Sequence, residues 1–76
     1  MDPKDLEVDS TYITTGEVKA CFYDKDDCLM PDAIDLQIGT DLIYVGPDAE
    51  DGYVFEYEDG TKLCLHDNDL VMIEES

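Results

Sequence analysis

The sequence predicts a small all-β domain of about five short antiparallel strands. Three observations carry that reading. Apolar residues recur with a period of two in several short segments, the period of a strand with one face buried. Turn residues punctuate those segments at close spacing, most clearly at Asp59-Gly60. Nowhere do apolar residues recur at helical spacing over a useful length.

The segments follow in order. Residues 1–10 are polar and acidic and are expected to form a flexible arm ahead of a single domain over 11–76. Residues 11–15 are rich in β-branched side chains and end at Gly16. In 17–24, Val18, Ala20 and Phe22 fall on one face and Glu17, Lys19, Cys21 and Tyr23 on the other. The two stretches make either a hairpin turning at Thr15-Gly16 or one long strand bent there. Residues 24–27 read as a charged loop and 28–30 as a short apolar patch closed by Pro31. Ile34, Leu36 and Ile38 alternate with Asp35 and Gln37 as a further short strand.

The second half is more sharply marked. Residues 42–45 form an unbroken apolar run, the pattern of a strand buried on both faces. Tyr53, Phe55 and Tyr57 alternate with Val54 and Glu56. Asp59-Gly60 supplies the φ > 0 positions of a type I′ hairpin turn, and 61–66 returns with Leu63 and Leu65 on one face. Residues 67–69 suit a turn or a single 3₁₀ turn, and 70–73 a last strand.

Residues 39–73 resemble, on this pattern, the second half of an SH3-like barrel: a strand, a loop holding Gly52, a hairpin at Asp59-Gly60, a short turn and a final strand. The resemblance implies a small SH3-like or Tudor-like barrel, a class that includes peptide binders, methyl-lysine readers and nucleic-acid modules. The chain departs from each of their sites. It has no Trp for a peptide groove, and its loops are acidic where nucleic-acid binders of this class are basic.

Charge narrows the function. Asp and Glu number 21 against four Lys and no Arg, a formal net charge of −17 on 76 residues. Solubility needs a magnitude of only about 2–8 for a small domain, and the excess destabilises the compact state. Nucleic acid and anionic membrane are excluded as direct partners, because both are bound through Lys and Arg. A hydrophobic fraction of 43% is too high for a disordered acidic tail. A high-salt proteome is a second source of such acidity, but here the acids are clustered and Tyr, Ile and Leu remain abundant. The charged N-terminus and the lack of a long apolar run point to a cytoplasmic protein, with its three cysteines as reduced thiols.

The candidate partner-binding residues are Asp24, Asp26, Asp27, Asp48, Glu50, Asp51, Glu56, Glu58 and Asp59, with Tyr53 and Tyr57 as aromatic anchors. Carboxylates in neighbouring loops can approximate the charge array of duplex DNA, about one charge per 1.7 Å of axis. The expected activity is docking on a basic surface of a partner protein, expected to be nucleic-acid-binding, as a DNA-mimic-type inhibitor. In size and charge the chain also resembles small acidic phage-type inhibitor proteins. The alternative is a Tudor-like or SH3-like module recognising a basic or methylated peptide, with Tyr23, Tyr44, Tyr53, Tyr57 and Phe55 available for a cage.

No catalytic constellation emerges. The single His66 has no paired nucleophile, and no segment builds a pocket to raise a carboxyl pKa. The run from Asp24 to Asp35 starts like a calcium loop but lacks Gly at its sixth and Glu at its twelfth position. Cys21, Cys28, Cys64 and His66 would form a Cys₃His set, yet their spacing is not that of a zinc site. Neither an enzyme nor a bound cofactor or metal is expected.

Overall fold

The computed structural model describes residues 3–26, 28–47 and 52–75. The described residues form one antiparallel sheet of seven strands, so the all-β class holds. The strands are β1 (Thr11–Thr14), β2 (Val18–Tyr23), β3 (Leu29–Leu36), β4 (Asp41–Pro47), β5 (Tyr53–Glu56), β6 (Lys62–Leu65) and β7 (Ile73–Glu75), in spatial order β3-β2-β6-β5-β4-β1-β7. The sheet is open, with β3 and β7 as its edges, and it has seven strands where about five were expected.

The first half of the chain is where pairing and strand extent depart most from expectation. β1 and β2 do not pair with each other. β1 lies between β4 and β7, and β2 between β3 and β6. The corner at Thr15-Gly16 is therefore neither a hairpin nor a bend within one ladder. Beyond it, β2 and β3 form a hairpin around the 24–28 loop. The apolar patch at 28–30 belongs to β3, which runs on through Pro31 instead of stopping there. Proline has no N–H for a ladder, so it is confined to edges and bulges. Pro31 has both: β3 is an edge strand, and the register jumps from Cys21↔Ala33 to Tyr23↔Leu29 around it.

One face of the sheet carries the core. Tyr12, Leu42, Tyr44, Phe55, Leu63, Leu65, Leu36, Val18 and Ala20 all point to it and are buried. Phe55 is the hub. Tyr12 meets it edge-on at 6.1 Å between centroids, and Tyr44 meets it tilted at 5.2 Å. Such geometries add about 0.5–1.5 kcal/mol per pair beyond area burial.

Two strands differ from expectation. The apolar run of β4 alternates: Leu42 and Tyr44 are buried, whereas Ile43 and Val45 are 42% and 36% exposed. Burial of consecutive residues occurs instead in β6, where Leu63, Cys64 and Leu65 are all below 4%. β6 sits mid-sheet between β2 and β5. The segment expected as a strand at 70–73 is divided. Asp67–Leu70 is one helical turn that buries Leu70, and β7 begins only at Ile73. The Asp69 carboxylate accepts the backbone N–H of His66 at 3.0 Å, which holds that turn.

The hairpin at Asp59-Gly60 is present with a different turn. Gly60 has φ +90°, but Asp59 is not in the positive-φ region. Gly60 N–H donates to Tyr57 O at 2.9 Å, and Tyr57 N–H to Thr61 O at 2.8 Å. This is the three-residue loop in which glycine alone takes the left-handed position, in place of type I′.

The segment ahead of β1, expected as a loose arm, makes defined contacts. Leu6 packs on the core. Glu7 N–H donates to the Tyr12 hydroxyl at 2.7 Å. Asp9 N–H donates to Tyr44 O at 2.8 Å, and Tyr44 N–H to Ser10 O at 3.1 Å.

Thr14 fastens the opposite end of β1. It is 2% exposed, its hydroxyl donates to Gln37 O at 2.7 Å, and it accepts Thr40 N–H at 2.9 Å. Thr14→Val keeps the shape and strands both partners. Urea unfolding should show a loss of about 1–3 kcal/mol; an unchanged midpoint would mean the 37–40 turn does not depend on Thr14.

Candidate functional site

The outer face of the sheet takes the charge. Register sets Lys19 opposite Asp35 and Lys62 opposite Glu56, so two of the four lysines lie across a ladder from an acid. Opposite charges in that position add about 0.2–1 kcal/mol. Several of the acids, Glu56 among them, line four shallow surface depressions.

The first lies between the start of the chain and β7. It is lined by Asp5, Glu7, Glu74 and Glu75, with Lys4 among them. The second lies between the 24–28 loop and the β5–β6 turn. It brings Asp24 and Asp59 together with Tyr23, Lys25 and Lys62. The third crosses the ends of β1, β4 and β5 and is lined by Thr11, Asp41, Ile43, Glu56, Tyr57 and Glu58. A fourth is lined by Glu7, Ser10, Thr11 and Glu75; neither it nor the third has a lysine in its lining, and of these two only the third holds an aromatic ring. Three carboxylates in the third flank the half-buried ring of Tyr57 and the exposed side chain of Ile43.

The sequence-predicted residues divide accordingly. Glu56, Tyr57 and Glu58 converge in the third depression. Asp24 and Asp59 converge in the second, where the two lysines break the carboxylate array. Asp26 is exposed in the 24–28 loop. Tyr53 is half-buried opposite Leu65, packed against the core and not in the Tyr57 depression. Asp27, Asp48, Glu50 and Asp51 lie outside the described residues.

Asp41 and Ile43 were not among the predicted residues. Ile43 read as part of a doubly buried run. The signal was the register: Thr11↔Ile43 and Ile43↔Glu56 place them beside Glu56. The depression at the chain start also depends on pairing, since β7 beside β1 brings Glu74 and Glu75 near Asp5 and Glu7.

Two predicted binding carboxylates serve their own turns. Asp24 Oδ1 accepts the N–H groups of Asp26 and Cys28, each at 2.9 Å. That role, with Asp35 opposite Lys19 on β3, leaves the calcium-loop pattern without its geometry. Asp59 Oδ1 accepts Thr61 N–H at 2.9 Å. The Thr61 hydroxyl and N–H hold the Asp59 carboxyl below the usual carboxylate range.

The cage residues are divided between the core and separate surface depressions. Tyr44 is 5% and Phe55 0% exposed, both in the core. Burial pushes the Tyr44 phenol above its ordinary value, with Tyr12 adding to the shift. Among the described residues, no group of three or more His, Cys, Asp or Glu is placed to hold a metal ion. Cys28 is exposed in its loop and His66 lies in the connection after β6, so the Cys₃His set is not assembled. No helix is long and apolar enough to cross a membrane among the described residues.

Comparison with known proteins gave no match: no family model, no curated sequence and no solved structure is significantly similar to this chain.

The Asp59 geometry has a pH consequence. A carboxylate whose folded-state pKa is lowered contributes stability above its unfolded-state pKa and loses it as pH falls through the folded value. Asp59→Ala should therefore be less stable than the parent at neutral pH. The gap in urea midpoint should narrow on acidification below about pH 4. A gap that widens there would contradict the assigned hydrogen bonds.

Proposed function

We propose that this chain is a small acidic binding protein that docks on a basic surface of a partner protein, in the manner of a DNA-mimic inhibitor. The partner surface is one that otherwise binds nucleic acid. The observation that carries the reading is the Tyr57 depression: an aromatic ring and an aliphatic side chain among Asp41, Glu56 and Glu58, with no lysine in the lining. Carboxylates at the rim steer a basic surface and fix its register. A half-buried aromatic supplies the kind of anchor in which interface energy concentrates. The net charge of −17 extends the steering field beyond that depression.

For the architecture we propose an SH3-like arrangement. Supporting it are the strand order β7-β1-β4-β5-β6, the β2–β3 hairpin inserted between β1 and β4, and the helical turn between β6 and β7. A methyl-lysine or basic-peptide module, the second reading, needs another aromatic beside Tyr57. The burial of Tyr44 and Phe55 weighs against it.

The test is capture of a partner by the tagged chain, followed by titration of the purified pair at low and moderate salt with duplex DNA as competitor. Affinity should fall at least about tenfold between 50 and 200 mM salt, and DNA should compete. Tyr57→Ala should weaken binding about 30-fold or more, and each of Asp41→Asn, Glu56→Gln and Glu58→Gln only severalfold. Salt-indifferent binding, or a partner that duplex DNA does not displace, would overturn the reading.

A further inference from the structure

Cys21 on β2 and Cys64 on β6 are directly opposed in the antiparallel register. Opposed residues place their side chains on the same face of a sheet. Their Cα atoms are about 4.5–5.5 Å apart in either kind of antiparallel pair, inside the roughly 4.4–6.8 Å that a disulfide spans. Both are thiols in this structure.

Their surroundings favour the bond. The register continues the row on either side, giving Val54–Cys64–Cys21–Ala33 across four strands. No charged side chain occupies that row. Cys21 is half-buried and so open to a small reagent, whereas Cys64 is 3% exposed. Disulfide Cβ atoms approach to about 3.8 Å, closer than a typical opposed pair at about 4.5–5.5 Å. The ladder can yield there. β2 and β6 are joined by only two residue pairs, Cys21↔Cys64 and Phe22↔Leu63, and the β2–β3 register breaks directly after Cys21.

We propose that Cys21 and Cys64 form a cross-strand dithiol, a modification site oxidised by low-molecular-weight disulfides. The Cys21 thiolate attacks one sulfur of the small disulfide. That S–S bond breaks, one small thiolate leaves, and Cys21 carries a mixed disulfide. The Cys64 thiolate then attacks Cys21 Sγ and expels the second small thiolate. In balance, two protein thiols lose their protons, one protein disulfide forms, and two small thiols are released. The product fastens the β2–β3 hairpin to the middle of the sheet. Cys28 takes no part: it is exposed at the far end of the hairpin, its thiol directed to Asp26 O.

The experiment treats folded Cys28→Ser protein with oxidised glutathione, quenches in acid, and then unfolds and alkylates it for intact-mass and peptide analysis. The expected product is a monomer that has lost both thiols, retains no glutathione, and yields one cross-linked peptide joining residues 21 and 64. Dithiothreitol should restore both thiols. Adding Cys64→Ala should instead trap glutathione on Cys21. A stable glutathione adduct at Cys21 with Cys64 fully alkylated would overturn the proposal. So would cross-linking between two chains in place of within one.

Discussion

Every other feature of this molecule is subordinate to a conflict between charge and size. A net charge of −17 rests on a chain of 76 residues, and self-repulsion opposes the compact state. The fold does not relieve that by expanding. Its radius of gyration is 11.0 Å, against about 11 Å for an ordinary domain of this length. Cohesion comes from one sheet face, where Tyr12, Tyr44 and Phe55 pack ring against ring and aliphatic residues fill the space around them. Tyr12 does more than fill space, because its hydroxyl accepts Glu7 N–H and so fixes an acidic segment against β1. Acids can be numerous on the outer face and in the turns because none is needed in the core.

That division also shapes the candidate site. The four lysines are not scattered: Lys19 and Lys62 lie opposite acids on the outer face, while Lys4 and Lys25 line the first and second depressions. Carboxylates without a lysine in the same depression are left beside Ser10 and Thr11 and, with an aromatic ring among them, around Tyr57. The bulge in β4 between Tyr44 and Gly46 shifts the strand's pairing beyond Ile43, and β1 supplies Thr11 alongside. The groove is thus a product of pairing between strands distant in sequence.

Much of the fold was legible for reasons of local chemistry. Alternation located β2, β5 and β6, and Asp59-Gly60 located a hairpin because glycine alone tolerates φ +90° cheaply. What local pattern cannot carry is strand order. Without it, the corner at Gly16 read as a hairpin or a bent ladder, Pro31 read as a stop, and Leu70 read as strand. The edge position of β3 reverses the second reading, and the burial of a one-turn helix the third. The site was half legible for the same reason. Glu56, Tyr57 and Glu58 are neighbours in sequence and stayed together. Asp41 and Ile43 join them only through register, while Asp24 and Asp59, prominent as charges, are engaged in closing their own turns.

The proposed docking places a basic partner on the Tyr57 groove and not on acidity in general. Amide chemical-shift mapping during titration with a short Arg- and Lys-rich peptide tests it most directly. Changes should concentrate at Thr11, Asp41, Ile43, Glu56, Tyr57 and Glu58 and saturate with the peptide. Small, unsaturating changes spread equally over the 24–28 loop, the chain start and β7 would contradict it and reduce the surface to a diffuse negative field.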